Sequence, residues 1–379
     1  MTATSPIARA ARQFAVVACA LALSSPVFAD AGNYEVTKLV ADLPGVAANT
    51  DTNLVNGWGI AMRATSPIWV SNNGTGTSTL YNGLGVQISP PSPVVIPAVS
   101  GTGHGVPTGI TSNPSTSDFL LAGPGTAAIF MWATEDGGIA AWNGGPAATI
   151  KFAAKDGAVY KGLALAGDGT NSRLYAADFH NGKIDVLDNT FTPTSVAGGF
   201  ADPRIPAGFA PFNIMNLQGN LYVAYALREQ GGDDEVAGAG LGFVDVFDAD
   251  GFLVARAATR GKLNAPWGLA LAPSSFGKFS DRLLVGNFGD GFIDAYDLAT
   301  GRFKGRLERR DGSPVQIEGL WGLSFGNGVL NQPPDTLFFT AGPDDESHGL
   351  YGKLEGAHTI CRDHDDLAPE PEDSAPESE

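Results

Sequence analysis

Cysteine is almost absent from this chain of 379 residues, which has only Cys19 and Cys361. A disulfide-stapled scaffold is thereby excluded, and the fold must stand on packing, as a chain of this length can. Positive charge is also scarce: 23 Lys and Arg face 40 Asp and Glu, for a net charge of −17. Nucleic acid is therefore excluded as a partner, because binding it needs a basic surface to displace counterions. Charged residues of both signs make up only 17% of the chain, against about a quarter in ordinary globular proteins. No apolar run reaches the ~18 residues that a membrane-spanning helix requires, so no transmembrane segment is expected. Gly-x-Ser-x-Gly, His-Glu-x-x-His, a Walker loop and a haem-attachment pair of cysteines are all missing, and no reaction can be named from a motif.

What the chain has in quantity is turn-forming residues, 50 Gly and 25 Pro, beside a hydrophobic content of 43%. That is strand-and-turn material with enough apolar surface for a large core. The first 29 residues read as a secretory signal. Arg9 and Arg12 form a positive start, Phe14 to Leu23 a short apolar stretch, and Val27-Phe28-Ala29 a small-residue cleavage site. The mature protein is expected in the periplasm or outside the cell. The rival reading, acylation at Cys19, leaves too short an apolar stretch before the cysteine.

Cleavage lowers the charge to −19, since the leader carries two arginines and no acids. Residues 361–379 read as an acidic disordered tail. The spacing His358-x-x-Cys361-x-x-His364 is short of a full metal-ligand set.

The decisive feature is a repeat. A small-residue strand, an apolar strand and a strand ending near Asp recur with marker residues Gly59, Gly109, Gly162, Asn213, Gly268 and Gly322, at steps of 50, 53, 51, 55 and 54. In the third copy the three strands are Lys161-Gly162-Leu163-Ala164-Leu165, Arg173-Leu174-Tyr175-Ala176-Ala177-Asp178 and Lys183-Ile184-Asp185-Val186-Leu187-Asp188. In the second copy the middle strand is placed at Phe119 to Gly123.

Six such units predict an all-β fold, a six-bladed β-propeller over residues 30–360 with four antiparallel strands per blade. The blades fall near 54–104, 105–157, 158–208, 209–262, 263–316 and 317–356. The sixth copy lacks a fourth strand, and Tyr34 to Leu39 has the alternation to complete it. That closure leaves no open edge in the ring.

These repeats resemble NHL-type and gluconolactonase-like six-bladed propellers. More narrowly, the run Leu43-Pro44-Gly45-Val46-Ala47 through Asn56 to Trp58-Gly59-Ile60 resembles the start of a family of exported bacterial proteins of unknown function. Some members of that family carry a Pro-Glu-Pro sorting signal. Pro369-Glu370-Pro371 is present, but neither the apolar helix nor the basic cluster of that signal follows.

In such a ring the loops leading into the innermost strands, and those after the second strands, surround the channel mouth where propellers bind ligands. The first set supplies Asn56, His104, Lys161, Asn213, Asn264 and Glu318. The second supplies Asn72, Asn73, Asp178, His180, Arg228, Asn287, Asp290, Asp344, Asp345 and His348. Carboxylates and amides of this kind suit a hard cation such as Ca2+ or another divalent ion, while Asn and Asp also cap turns for local reasons.

The resemblance to metal-dependent lactonases implies Glu318 and Asn213 as metal ligands with Asp178, Glu318 and Asp178 being the catalytic candidates. The Asp-Gly motif of that class is unmatched in all six copies. Trp58, Trp267 and Trp321 are read as packing between blades. The leading expectation is a monomeric exported propeller that binds a small molecule or protein. Two alternatives stand beside it: a divalent-metal-dependent lactonase-like hydrolase or lyase, and an envelope assembly component using the Gly-rich insertion from Arg228 to Gly242 as a contact loop.

Overall fold

The repeated glycines hold the architecture together. In the computed structural model, which describes residues 33–167 and 172–356, six blades start from innermost strands Gly57–Ala61, Pro107–Ser112, Tyr160–Gly167, Phe209–Leu217, Pro266–Leu271 and Leu320–Phe325; five are four-stranded sheets, and the sixth carries the short Asn49–Thr50 as a fifth, parallel edge strand. Each innermost strand packs against the next, and the sixth against the first. A Cβ at Gly268 would meet the Trp321 carbonyl at 2.6 Å, and one at Gly322 would meet the Trp58 carbonyl at 2.7 Å. The glycine is thus the residue type that lets neighbouring inner strands approach. At the one position without glycine, the Asn213 amide itself reaches across and donates to the Trp267 carbonyl at 2.7 Å.

Strands in this ring are buried on both faces, so they read as continuous apolar runs with the two faces serving different neighbours. In Leu337–Ala341, Leu337 and Phe339 pack toward the fifth blade while Phe338 packs toward the first. The buried side chains accordingly form one core between each pair of consecutive blades, six in all among the described residues. A further core lies among the innermost strands.

The sixth blade is completed by the N-terminal strand Tyr34–Ala41, antiparallel to Leu350–Gly356 from Tyr34↔Gly356 to Ala41↔Leu350. Tyr34 also ties this strand to the fifth blade. Its hydroxyl donates to the Phe276 carbonyl at 2.9 Å, and its ring stacks on Phe276 at 4.8 Å.

One strand differs from the sequence expectation. The second strand of the second blade is Phe130–Thr134, not the run from Phe119 to Gly123. Phe119 has φ +57° and is fully buried in the core between the second and third blades, so this run is a packed loop. Among the described residues no helix is long and apolar enough to cross a membrane. The secretory leader, Cys19, Cys361 and the acidic tail lie outside the described residues.

Candidate functional site at the channel mouth

The residue before each marker builds the floor of the site. Trp58, Phe212, Trp267 and Trp321 occupy that position in four blades, and with Phe179 and Phe288 they form one buried aromatic cluster. Trp58 stacks on Trp321 at 3.8 Å, Phe288 stacks on Trp321 at 3.9 Å, and Trp267 meets Trp321 edge-on at 5.7 Å. The tryptophans thus pack on one another where the inner strands converge, rather than within the cores between blades. In the third blade the same position is Lys161, which is 2% exposed.

A continuous polar chain runs over this floor. The Asn56 side-chain oxygen accepts from the indole N–H groups of Trp58 at 2.9 Å and Trp321 at 3.0 Å. Its amide donates to Glu346 Oε2 at 2.5 Å and to Asn73 Oδ1 at 3.4 Å. Asn73 donates to Glu135 Oε2 at 2.7 Å, and Lys161 Nζ donates to Glu135 Oε1 at 2.5 Å. Lys161 Nζ also lies 5.0 Å over the Trp58 ring and 3.9 Å from Asp234.

Two irregular segments deliver the remaining acids. The Gly-rich insertion folds back through an isolated antiparallel backbone bridge between Arg228 and Glu235, and Val236 N–H bonds the Leu227 carbonyl at 2.8 Å. It is pinned by His180 to Asp233 at 2.5 Å and by Gly238 N–H to Asn264 Oδ1 at 2.6 Å. Asp234 and Glu235 of this insertion lie in the field of Lys161. The second segment holds Asp344, Asp345 and Glu346 at φ of +58°, +48° and +65°. Three consecutive non-glycine residues in the left-handed region are strained, and such strain gathers at functional sites.

Burial pushes the Glu235 carboxyl up to about 7, with Glu346 and Asp234 adding to it and Lys161 opposing. Glu346 is also raised, first by burial and further by Glu135 and Asp234, against the pull of Asn56 and Lys161. For Lys161 burial acts downward, but Glu135, Glu235 and Asp234 outweigh it and the ammonium is held more firmly charged than usual.

Of the expected ligand-binding residues, Asn56 and Lys161 meet in this cluster. Asn213 is spent on the neighbouring strand. Asn264 and Asn287 brace loops, Asn287 Oδ1 accepting from Asn264 N–H at 2.9 Å and its amide donating to Asp294 at 3.0 Å. His104 is exposed and bonds only locally, Nδ1 lying 3.2 Å from the Gly105 carbonyl.

The expected metal set does not converge. Glu318 accepts from the Asp344 N–H at 3.2 Å, Asn213 faces Trp267, and Asp178 accepts from Asn181 N–H at 3.1 Å. Asp178 instead groups with Asp156 and Asp185, the one trio of acidic ligand atoms lying within 4.8 Å of one another among the described residues. The Lys183 ammonium sits in that group, 2.7 Å from Asp156, 2.8 Å from Asp185 and 3.8 Å from Asp178.

Glu135, Asp234, Glu235 and Glu346 were not among the expected residues. Glu135 follows the second strand of its blade as Asn73 does, so the correct register of that strand would have exposed it.

No family model matches the sequence. Two curated relatives come from Acanthamoeba polyphaga mimivirus. The uncharacterized protein R648 is 34% identical over 87% of this chain and 80% of its own length. The uncharacterized protein L690 is 30% identical over 85% of each. These relatives are viral, so they do not carry the narrower expectation of an exported bacterial family.

Among solved structures, a streptogramin B lyase aligns with a TM-score of 0.51 at 12% identity, over 85% of this chain and 98% of that one. A protein of unknown function from Bacteroides thetaiotaomicron aligns with a TM-score of 0.54 at 11% identity, over 85% and 76%. At these identities the likeness is one of fold.

Proposed function

We propose that this chain, which belongs to the family of the mimivirus proteins R648 and L690, is a ligand-binding propeller that receives a small organic cation at its channel mouth. The observation that carries this reading is the charge of the mouth. Glu135, Asp234, Glu235 and Glu346 surround the single ammonium of Lys161 over an indole floor. Burial opposes the charge of Glu235, pushed up to about 7, and of Glu346, shifted in the same direction, so the free mouth holds these acids at a cost. An arriving ammonium or guanidinium group offsets that cost with ion pairs and contact with aromatic faces.

An organic cation is favoured over a bare metal ion because a hard cation needs oxygen ligands converging within a few ångströms, and the mouth acids are spaced more widely than the Asp156, Asp178 and Asp185 trio. The metal-dependent hydrolase reading has less support, since Glu318, Asn213 and Asp178 face different partners. The assembly reading loses its contact loop to the mouth, because the insertion is pinned across it. We place the mature chain outside the cytoplasm on the strength of its first 29 residues. Mass spectrometry of the secreted protein should find Asp30 at its N-terminus, and an intact leader would refute export.

Thermal-shift titration tests the ligand class. Putrescine and agmatine should raise the melting temperature in a saturable way, with no loss of stability on adding EDTA. A shift with Ca2+ alone, or none with any cation, would reject the organic-cation reading.

A further inference from the structure

A cavity of about 380 Å3 opens between the fifth and sixth blades beside the closing strand. Its size falls in the range of small-molecule sites. Val36, Leu43, Val46 and Phe339 give it an apolar wall, and Leu43 and Val46 are 41% and 42% exposed at its rim. Lys38 and Arg309 also line it.

In a chain of net charge −17, two cations lining one cavity are unusual. Among the described residues neither makes an ion pair within 4.0 Å, although Arg309 acts on the nearby Asp311 through its charge. Arg309 gives one Nη1–H to the Pro314 carbonyl at 3.2 Å, leaving the rest of its planar fork. The two acids that face the cavity are engaged. Asp42 accepts from His348 Nδ1–H at 2.7 Å and Gly349 N–H at 3.0 Å, and Glu318 accepts from the Asp344 N–H.

We infer that this cavity binds a small carboxylic acid with an apolar body. Arg309 and Lys38 take the carboxylate, and the hydrocarbon lies against Val36, Leu43, Val46 and Phe339. The planar guanidinium matches a carboxylate in two parallel hydrogen bonds, and the lysine adds a point charge. The site is chemically opposite to the channel mouth, whose acids repel such a ligand, and does not depend on the reading given for that mouth.

Fluorine NMR with 4-fluorobenzoate, 4-fluorobenzyl alcohol and 4-fluorobenzylamine tests it on the mature chain. The carboxylate should bind at least about tenfold more tightly than the alcohol or the amine. Arg309→Gln and, at the exposed position, Lys38→Gln should each weaken carboxylate binding about tenfold with an unchanged melting temperature. Equal binding of the alcohol, absence of carboxylate binding at millimolar concentration, or wild-type affinity in both variants would overturn the inference.

Discussion

At the scale of single residues, Glu235 and Asn56 bear most of the account. Glu235 is held near 7 in the folded chain, whereas an unfolded glutamate titrates at about 4.3. Between these values the folded chain keeps a proton that the unfolded chain has lost, so this group's contribution to stability falls as pH rises through that window and is level above it. Glu235→Gln removes the effect. Its melting temperature should exceed that of the wild type at pH ~8 and converge with it near pH ~4.5. A gap that stays constant across that range would show that Glu235 is not the buried carboxyl described.

The Asn56 side-chain oxygen accepts from two buried indole N–H groups, those of Trp58 and Trp321. Asn56→Ala leaves both without a partner and should cost roughly 3 kcal/mol in denaturant unfolding. A loss below about 1 kcal/mol would mean that the indoles find other partners.

At the scale of elements, the recurring glycine made the ring legible, because close approach of inner strands forces the same residue at the same place in five of six blades. The closing strand was legible by elimination, since after Leu354 the chain turns polar and supplies the sixth copy with no fourth apolar strand. Deleting Tyr34–Ala41 removes the partner of Leu350–Gly356 and uncovers the core shared with the fifth blade. The melting temperature should drop by more than roughly ten degrees, and an unchanged melt would contradict closure.

What the sequence concealed was register in the second blade. The runs from Phe119 to Ala122 and from Ile129 to Ala133 are both apolar, and periodicity alone cannot say which is strand and which is loop. The turn Glu135-Asp136-Gly137 directly after the second run was the available signal. That slip hid Glu135 from the site. Glu235 and Glu346 were hidden for another reason: both sit in irregular loops whose path over the mouth is set by distant partners, His180 and Asn264 for one and Asn56 for the other.

At the scale of the whole molecule, the ring separates its tasks. Six cores between blades and an aromatic core among the inner strands carry stability, and a connected group of amide and charged side chains lies over the aromatic core at one mouth. The polar side of that mouth comes from the first three blades, through Asn56, Asn73, Glu135 and Lys161, and it is covered by loops from the fourth and sixth. A fold this widely shared says nothing of its ligand, so the central claim rests on the charge gathered there. Calorimetric titration of putrescine into the mature protein tests it most directly. The account predicts saturable binding of one molecule per chain, weakened at least about tenfold in a Glu235→Gln, Glu346→Gln double variant that still folds. Absence of saturable binding, or an equal affinity in the double variant, would contradict it.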